Sequence, residues 1–482
     1  MFGARKCQRS SWILSLLMLL LGGCQTLPSQ KQKEPVSYVG IVEQQVGLYQ
    51  DPALENQVRR LGYRLVQASD LPPEQFSFYI LDQEIPNAFA APDGSIYVSR
   101  GLLALANSED ALAAILAHEI SHITSRHHLK QGRRQLIPGL LRLPGLALGK
   151  LVNDRLGSLV NAPVNSLGRI YLSSHSRAEE KEADSKGLVL AAVAGYRPEA
   201  MAEILSQMDA GNRLIFEDSE GHSFFDSHPS TPGRIDEILR ESTKLEPNRK
   251  ALPPQFATRE LFLRSLVGLC FGPNPDYGIR NGETFIHPGH EYVLKMPLGW
   301  NAHTTTTLIG AIGPDEASAY FLGLSHYGYD VSLYGQSLKD AFYEEYRLEP
   351  FEEQFEVIPQ GSRYSLIYRD HSSDSRLYIF FTWIELSGSI FQFIGFGPEN
   401  QRETLREITR SIRSIRPSDK SDLSILRLRL VEARPGETLA QLGEREKNQW
   451  SPEFTAIANN LPSDTRFQGG EWVKIVRREP YQ

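Results

Sequence analysis

The chain has 482 residues, 41% of them hydrophobic and 23% charged, with a formal net charge of −7. At ~150 residues per domain this length points to about three units, and the ordinary composition, with no low-complexity tract and no fixed-period repeat, argues against a disordered or solenoid chain. An acidic chain of this kind does not suggest nucleic acid as a partner.

The first residues, "MFGARKCQRSSWILSLLMLLLGGCQ", place Arg5, Lys6 and Arg9 before an apolar run from Trp12 to Leu21 and then Gly22 and Gly23. This is the pattern of an export signal over residues 1–23, the run being shorter than the ~20 apolar residues of a spanning helix. Leu21-Gly22-Gly23-Cys24 resembles a bacterial lipobox, which implies a lipid on Cys24; a plain cleavable signal or a short anchor helix is the alternative. Gln25 then implies an outer-membrane anchor facing the periplasm. Loss of the three basic residues with the signal takes the net charge from −7 to −10. Cys7 would leave with it and Cys24 would carry lipid, so no disulfide framework is expected. Residues 24–35, polar with two prolines, read as a tether.

From residue 36 to about 250 helical patterns dominate. "NQVRRLGYRLVQA" puts Val58, Leu61, Leu65 and Val66 on one side. "FSFYIL" and "SIYVSR" read as strands, the second after the turn "APDG". The stretch from Ser108 to Arg126 makes a helix that Asn107 or Ser108 can cap, with Glu109 and Asp110 at the positive end of its dipole. Within it, "AHEISH" sets His118 and His122 one turn apart on one face, so both can reach one Zn²⁺, while Glu119 stays near the ion without ligating it. Glu119 is therefore the expected general base. A catalytic zinc needs a third protein ligand and an open position, which this helix does not supply.

Residues 132–170 are apolar, rich in Gly and Pro, and basic, with six Arg or Lys against one Asp. They read either as an irregular surface connection or as a lid or membrane-touching flap. Beyond them, "SHSRAEEKEADSKG" places Glu179, Glu182 and Lys186 on one helical face, a solvated charged stripe, and Glu180, Asp184, Gly187, Leu188 and Ala191 on another. Inward-facing acids need partners. Glu180 as third ligand, with Asp184 accepting a histidine N–H, satisfies both. His127, His128 and His175 flank these motifs without ligand spacing and are expected to be structural.

"LAHEISH" followed about sixty residues later by "SRAEEKEAD" closely resembles the zinc peptidases grouped with HtpX, BepA, the mitochondrial inner-membrane quality-control protease and the CAAX prenyl proteases. "NAFAAPDGSIYVSRGLL" and "SHPSTPGRI" match the flanking segments, so the resemblance covers residues 38 to 245. It implies a mainly α-helical zincin peptidase domain with a small sheet over residues 36–250, one Zn²⁺ per chain, and Glu180 as the third ligand. It also implies that Asn87, Ala88, Phe89 and Ala90 form an edge strand that binds extended substrate by backbone pairing. His228 and Arg234 would lie near the metal with catalytic roles. His228 either donates to the oxyanion or occupies the open zinc position and holds the enzyme latent.

Residues 251–282 read as a linker. Short strand-like runs over residues 283–415, ending in the helical "NQRETLREITRSIRSI", describe an α+β domain that resembles PsbP-like modules. His287 and His290, in "FIHPGHEYV", read as turn residues before a strand. Residues 416–422 form a second linker. The tail, 423–482, resembles a LysM-type unit, which implies peptidoglycan as a partner; a plain docking module is the other reading. The expected protein is thus a periplasmic, lipid-anchored zinc endopeptidase for unfolded or misassembled envelope proteins. The alternative is an assembly chaperone or cell-wall-binding adaptor with a latent zinc site.

Overall fold

The computed structural model describes residues 38–69, 71–127, 175–216, 223–229, 233–304, 308–315, 317–370, 377–421 and 423–481. The expected signal, Cys24, the tether, His128 and the stretch 132–170 lie outside the described residues. The chain divides into two compact units, one built from the described residues of 37–138, 166–274 and 424–482, the other from those of 275–423. No helix among the described residues is long and apolar enough to cross a membrane.

In the first unit, helix α1 (Pro52–Gln67) starts where Asp51 accepts from the amides of Ala53 and Leu54 and Pro52 pre-sets the first turn. Its Leu54, Val58, Leu61 and Leu65 turn inward, at the helical spacing. Strands β1 (Ser77–Leu81), β2 (Ala88–Ala90) and β3 (Ser95–Ser99) form a sheet in the order β1-β3-β2, with β3 parallel to β1 and antiparallel to β2. Ser99 ties this sheet to helix α2 (Arg100–Leu105). Its hydroxyl accepts from the amides of Asn87 and Leu102 and donates to the Ile85 carbonyl, capping α2 while it anchors the segment entering β2.

Helix α3 (Glu109–Thr124), capped by Ser108, is buried on nearly all sides from Glu109 to His122, as a central helix must be. Helix α4 (Arg177–Val193) packs along it, then α5 (Ala200–Gly211) and α6 (Arg234–Ser242) complete the wall. The expected linker 251–282 instead holds helix α7 (Arg259–Ser265), with Phe262 and Leu263 buried in the core, and strand β4 (Cys270–Phe271). A segment that buries two large apolar side chains cannot behave as a tether.

The second unit joins two antiparallel sheets. Strands β5 (Ile279–Asn281), β6 (Thr284–His287) and β7 (Tyr292–Lys295) form one with β15 (Arg413–Ser414). The seven-stranded sheet takes β8 (Asn301–Thr304), β9 (Leu308–Ile312), β10 (Ala319–Tyr327), β11 (Glu352–Ile358), β12 (Gly361–Asp370), β13 (Leu377–Leu386) and β14 (Ser389–Pro398) in the order β11-β12-β13-β14-β10-β9-β8. Alternating side chains of β13 enter two cores: Phe381 and Trp383 meet Leu338 and Phe342 of helix α8 (Val331–Tyr346), while Phe380 and Ile384 meet Leu405 and Ile408 of helix α9 (Arg402–Ser411). This is the expected α+β class. His287 accepts from the His290 amide and so shapes the turn before β7. Residues 416–422, expected as a linker, include a helical turn at Pro417–Lys420 that Arg413 fastens through Asp419 at 2.6 and 2.8 Å.

The tail runs strand, helix, helix, strand: β16 (Ser424–Glu432), α10 (Leu439–Glu446), α11 (Pro452–Asn459) and β17 (Trp472–Pro480). Strand β16 pairs with β17 on one side and with β4 on the other, so the tail's sheet is completed from before residue 275. Leu428, Trp450, Phe454 and Val476 belong to the same core as Leu102 and Leu112. Lys474 is fully buried, and its ammonium donates to the carbonyls of Ala104, Leu105 and Ala106 at 2.7, 3.1 and 2.8 Å. Burial and the Arg259 guanidinium push its pKa well down, while the negative end of α2 offers three acceptors to the charged form. Asn107, just before α3, donates to the Ala458 carbonyl. The tail expected as a separate unit is therefore part of the first unit's core, and the α+β unit is inserted in sequence between Asn274 and Ser424. Truncation after Leu423 should abolish cooperative unfolding of the first unit, as read by circular dichroism. Lys474→Met, which removes the ammonium from the Ala104 and Ala106 carbonyls while Leu105 keeps a bond from Asn107 Nδ2, should destabilise by about 2 kcal/mol or more in urea titration.

Candidate metal centre

The site forms where α3 and α4 meet. At Gly187 an added Cβ would come within 3.1 Å of the His118 backbone nitrogen and Cα, so glycine lets the helix that carries Glu180 approach the helix that carries the histidines. The chain returns through a short helix, Phe224–Ser227, with His228 next; the Phe224 amide bonds the Pro86 carbonyl, and its ring stacks on His228 at 4.2 Å.

Ligand atoms of His118, His122, Glu180 and His228 all lie within 4.8 Å of one another, and all four residues are buried. His118 Nε2 is 3.0 Å from His122 Nε2 and 3.2 Å from His228 Nδ1; Glu180 Oε1 lies 3.1 Å from His228 Nδ1 and 3.4 Å from His122 Nε2. His118 Nδ1 faces Asp184 Oδ1 at 3.0 Å, which puts the ring proton there and leaves Nε2 a bare lone pair pointed at the other donors. Lone pairs held this close repel unless a cation lies between them. Glu119 Oε1 and His228 Nε2, 3.4 Å apart, are buried without a hydrogen-bond partner. The three-imidazole, one-carboxylate set suits zinc, whose tetrahedral bonds of ~2.0–2.2 Å set neighbouring donors about 3.3 Å apart.

Arg234 holds the acids. Its Nε and Nη2 donate to Asp184 at 2.9 and 2.8 Å, Nη2 lies 2.8 Å from Glu180 Oε2, and Nη1 donates to the His228 carbonyl at 3.2 Å. Burial would raise the Asp184 pKa, but hydrogen bonds from His118 and Arg234 hold it at about 2. Burial lifts Glu180 above the usual carboxylate range and Glu119 to about 7, against the pull of His118 and Arg234. Burial also pushes His122 and His228 well down, so both rings stay neutral and available as ligands.

Glu119 stands beside the donor set and outside it. The Ala90 backbone amide faces its carboxylate and draws its pKa down, which sets it beside β2. Strand β2 is an edge of its sheet among the described residues. Ser99 N bonds Asn87 O and Ala91 N bonds Ser95 O, so Asn87 and Ala91 pair inward; alternation turns the backbone of Ala88 and Ala90 to the open edge, and Phe89 pairs inward.

The structure thus brings together His118, Glu119, His122, Glu180, Asp184, His228 and Arg234, with Asn87 to Ala90 alongside. Arg234, expected to be catalytic, is a positioning residue: its guanidinium is spent on Asp184, Glu180 and a backbone carbonyl. The expected solvated stripe is also corrected. Glu179 is buried in a capping box with Ser176, and Glu182 reaches His127 at 3.2 Å. His127, set aside in sequence, is fully buried 2.9 Å from His122, and His175 stacks on the His122 ring at 3.8 Å. Spacing alone could not flag them, since one lies past the end of α3 and the other precedes α4.

Residues 52–242 match the model of Peptidase family M48. Over those residues the chain is similar to the zinc metallopeptidases of that family. Among curated relatives, the beta-barrel assembly-enhancing protease of Yersinia pestis is 25% identical over 237 residues, 48% of this chain and 48% of that protein. The putative beta-barrel assembly-enhancing protease of Vibrio cholerae is 28% identical over 45% of each chain. The mitochondrial metalloendopeptidase OMA1 of Schizosaccharomyces pombe is 30% identical over 38% of this chain and 51% of its own. The chain spans about half the length of these relatives. Among solved structures, cyanobacterial PsbP from Synechocystis aligns with 28% of this chain and 98% of its own, at 12% identity and a TM-score of 0.23.

Gly187→Val should part the helices, costing about 1–3 kcal/mol in thermal unfolding and at least tenfold in zinc affinity. Zinc affinity should also fall as pH is lowered from about 8 to 5. Ligation needs the Glu180 carboxylate, burial has raised its pKa, and a proton therefore competes with the metal increasingly as pH drops. Chelator competition across that range checks the sign.

Proposed function

We propose that this chain is a zinc-dependent endopeptidase, held in the periplasm by lipid on Cys24, that cleaves unfolded or misassembled envelope proteins and is kept latent by His228. The observation that carries the reading is a carboxylate, Glu119, buried next to a convergent donor set yet outside it, with Oε1 unbonded. The names of the bacterial relatives, assembly-enhancing proteases, support the substrate class.

His118, His122 and Glu180 would hold the zinc, which when bound supplies Lewis acidity to a scissile carbonyl. Glu119 takes a proton from the attacking water and returns it to the leaving amine. Extended substrate pairs with the outward backbone of Ala88 and the carbonyl of Ala90, which sets its peptide group beside Glu119. The Ala90 amide faces the base from that same strand, so substrate register and base position are coupled. His228 Nδ1 stands among the ligand atoms, so it fills the position that catalysis needs open, and activity requires the ring to withdraw.

A second reading is favoured by that same four-donor set, because closed sites with four protein ligands are structural: a periplasmic binding protein or cell-wall adaptor, with the LysM-like tail contacting peptidoglycan. Purified chain loaded with zinc and offered casein separates the two. Wild type should cleave slowly, His228→Ala several-fold faster, and Glu119→Gln at least about 100-fold more slowly while retaining zinc. No cleavage by either wild type or His228→Ala would leave only the second reading.

A further inference from the structure

The motif histidines are oriented unequally. His118 has a carboxylate directly behind it, Asp184 Oδ1 at 3.0 Å from Nδ1. His122 has no carboxylate in that place. Its Nε2 faces His118 and Glu180, so its proton sits on Nδ1 and must be donated away from the metal. The atom that receives it is His127 Nδ1, 2.9 Å away on a ring with no solvent exposure. A neutral imidazole that accepts at Nδ1 carries its proton on Nε2, and that atom lies 3.2 Å from Glu182 Oε2. The other Glu182 oxygen takes the Lys186 ammonium at 2.7 Å, across one turn of α4.

We infer that His127 and Glu182 are positioning residues for the zinc ligand His122, forming a carboxylate–histidine–histidine chain that fixes its tautomer and ring plane. This rests on the reading of the donor set as a zinc site. The two arms then match: both motif histidines end on carboxylates of α4, Asp184 directly and Glu182 through one interposed ring. Geometry gives the reason for the extra ring. His122 lies one turn further along α3, and Glu182, its side chain 39% accessible on α4, meets the His127 ring. His127, just past the end of α3, spans the difference.

His122, His127 and His175 also present ligand atoms within 4.8 Å of one another. A second ion there would need His122 stripped of both ring protons, since its Nε2 already faces the first donor set. The chain of hydrogen bonds asks for no such charge.

The test is the zinc dissociation constant of the full chain, by competition with a chromophoric chelator, beside the melting temperature of the metal-free protein. His127→Phe should weaken zinc binding about 10- to 100-fold. His127→Asn, whose Oδ1 can stand where Nδ1 accepts, should stay within about threefold of wild type, and Glu182→Ala should lose affinity in the same direction as His127→Phe. Metal-free melting temperatures should remain close to wild type. Unchanged affinity in both His127→Phe and Glu182→Ala overturns the inference and leaves the metal reading intact. If His127→Phe does not fold, Glu182→Ala with His127→Asn decides on the same criterion. A second zinc equivalent that disappears in His127→Phe also overturns it, because His127 would then be a ligand. Absence of zinc binding by wild type overturns the metal reading itself.

Discussion

Helices α3 and α4 touch at Gly187, and the donor set exists only because they can come that close. Four buried titratable groups, Glu119, Glu180, Asp184 and His118, would repel or desolvate at great cost if brought together alone. Arg234 and the expected dication supply the balancing charge. The guanidinium spreads over Asp184, Glu180 and the His228 carbonyl, so it fixes the third ligand, the support behind the first ligand and the loop of the fourth at once. Packing sets the distance, and charge makes the distance tolerable.

The same helix is held at its other end by a segment from far along the chain. Lys474 and Ala458, both beyond residue 423, bond the carbonyls of α2 and the side chain of Asn107, which immediately precede α3. The tail is therefore a structural member of the first unit's core, and the α+β unit interrupts that core in sequence. An insertion is tolerated where the chain leaves and re-enters at neighbouring points. Pairing of β4 with β16 brings Phe271 opposite Leu426 and makes those points neighbours.

Legibility tracked the range of the signal. His118, Glu119 and His122 were visible because a helix converts a four-residue spacing into a shared face, and Glu180 with Asp184 because the same rule applied to a second helix. The α+β class was visible from local pattern, and the edge strand from the resemblance of its flanking segment. His127 and Glu182 were not: one follows the end of α3 and the other lies on α4, and their meaning comes from the contact between them. The role of Arg234 was misread for a similar reason. Proximity to a metal could be inferred from a motif, but whether a guanidinium faces substrate or buried acids depends on what surrounds it.

By itself the sequence determined the chemistry of the site, since ligand type and helical periodicity are properties of a few adjacent residues. Tertiary structure alone decided three things. It put His228 Nδ1 among the ligand atoms, it gave His122 its support through His127, and it joined residues 424–482 to the core begun at residue 38. Each depends on contacts between residues far apart in the chain, where no spacing rule operates and only the balance of burial, packing and paired charge selects the arrangement.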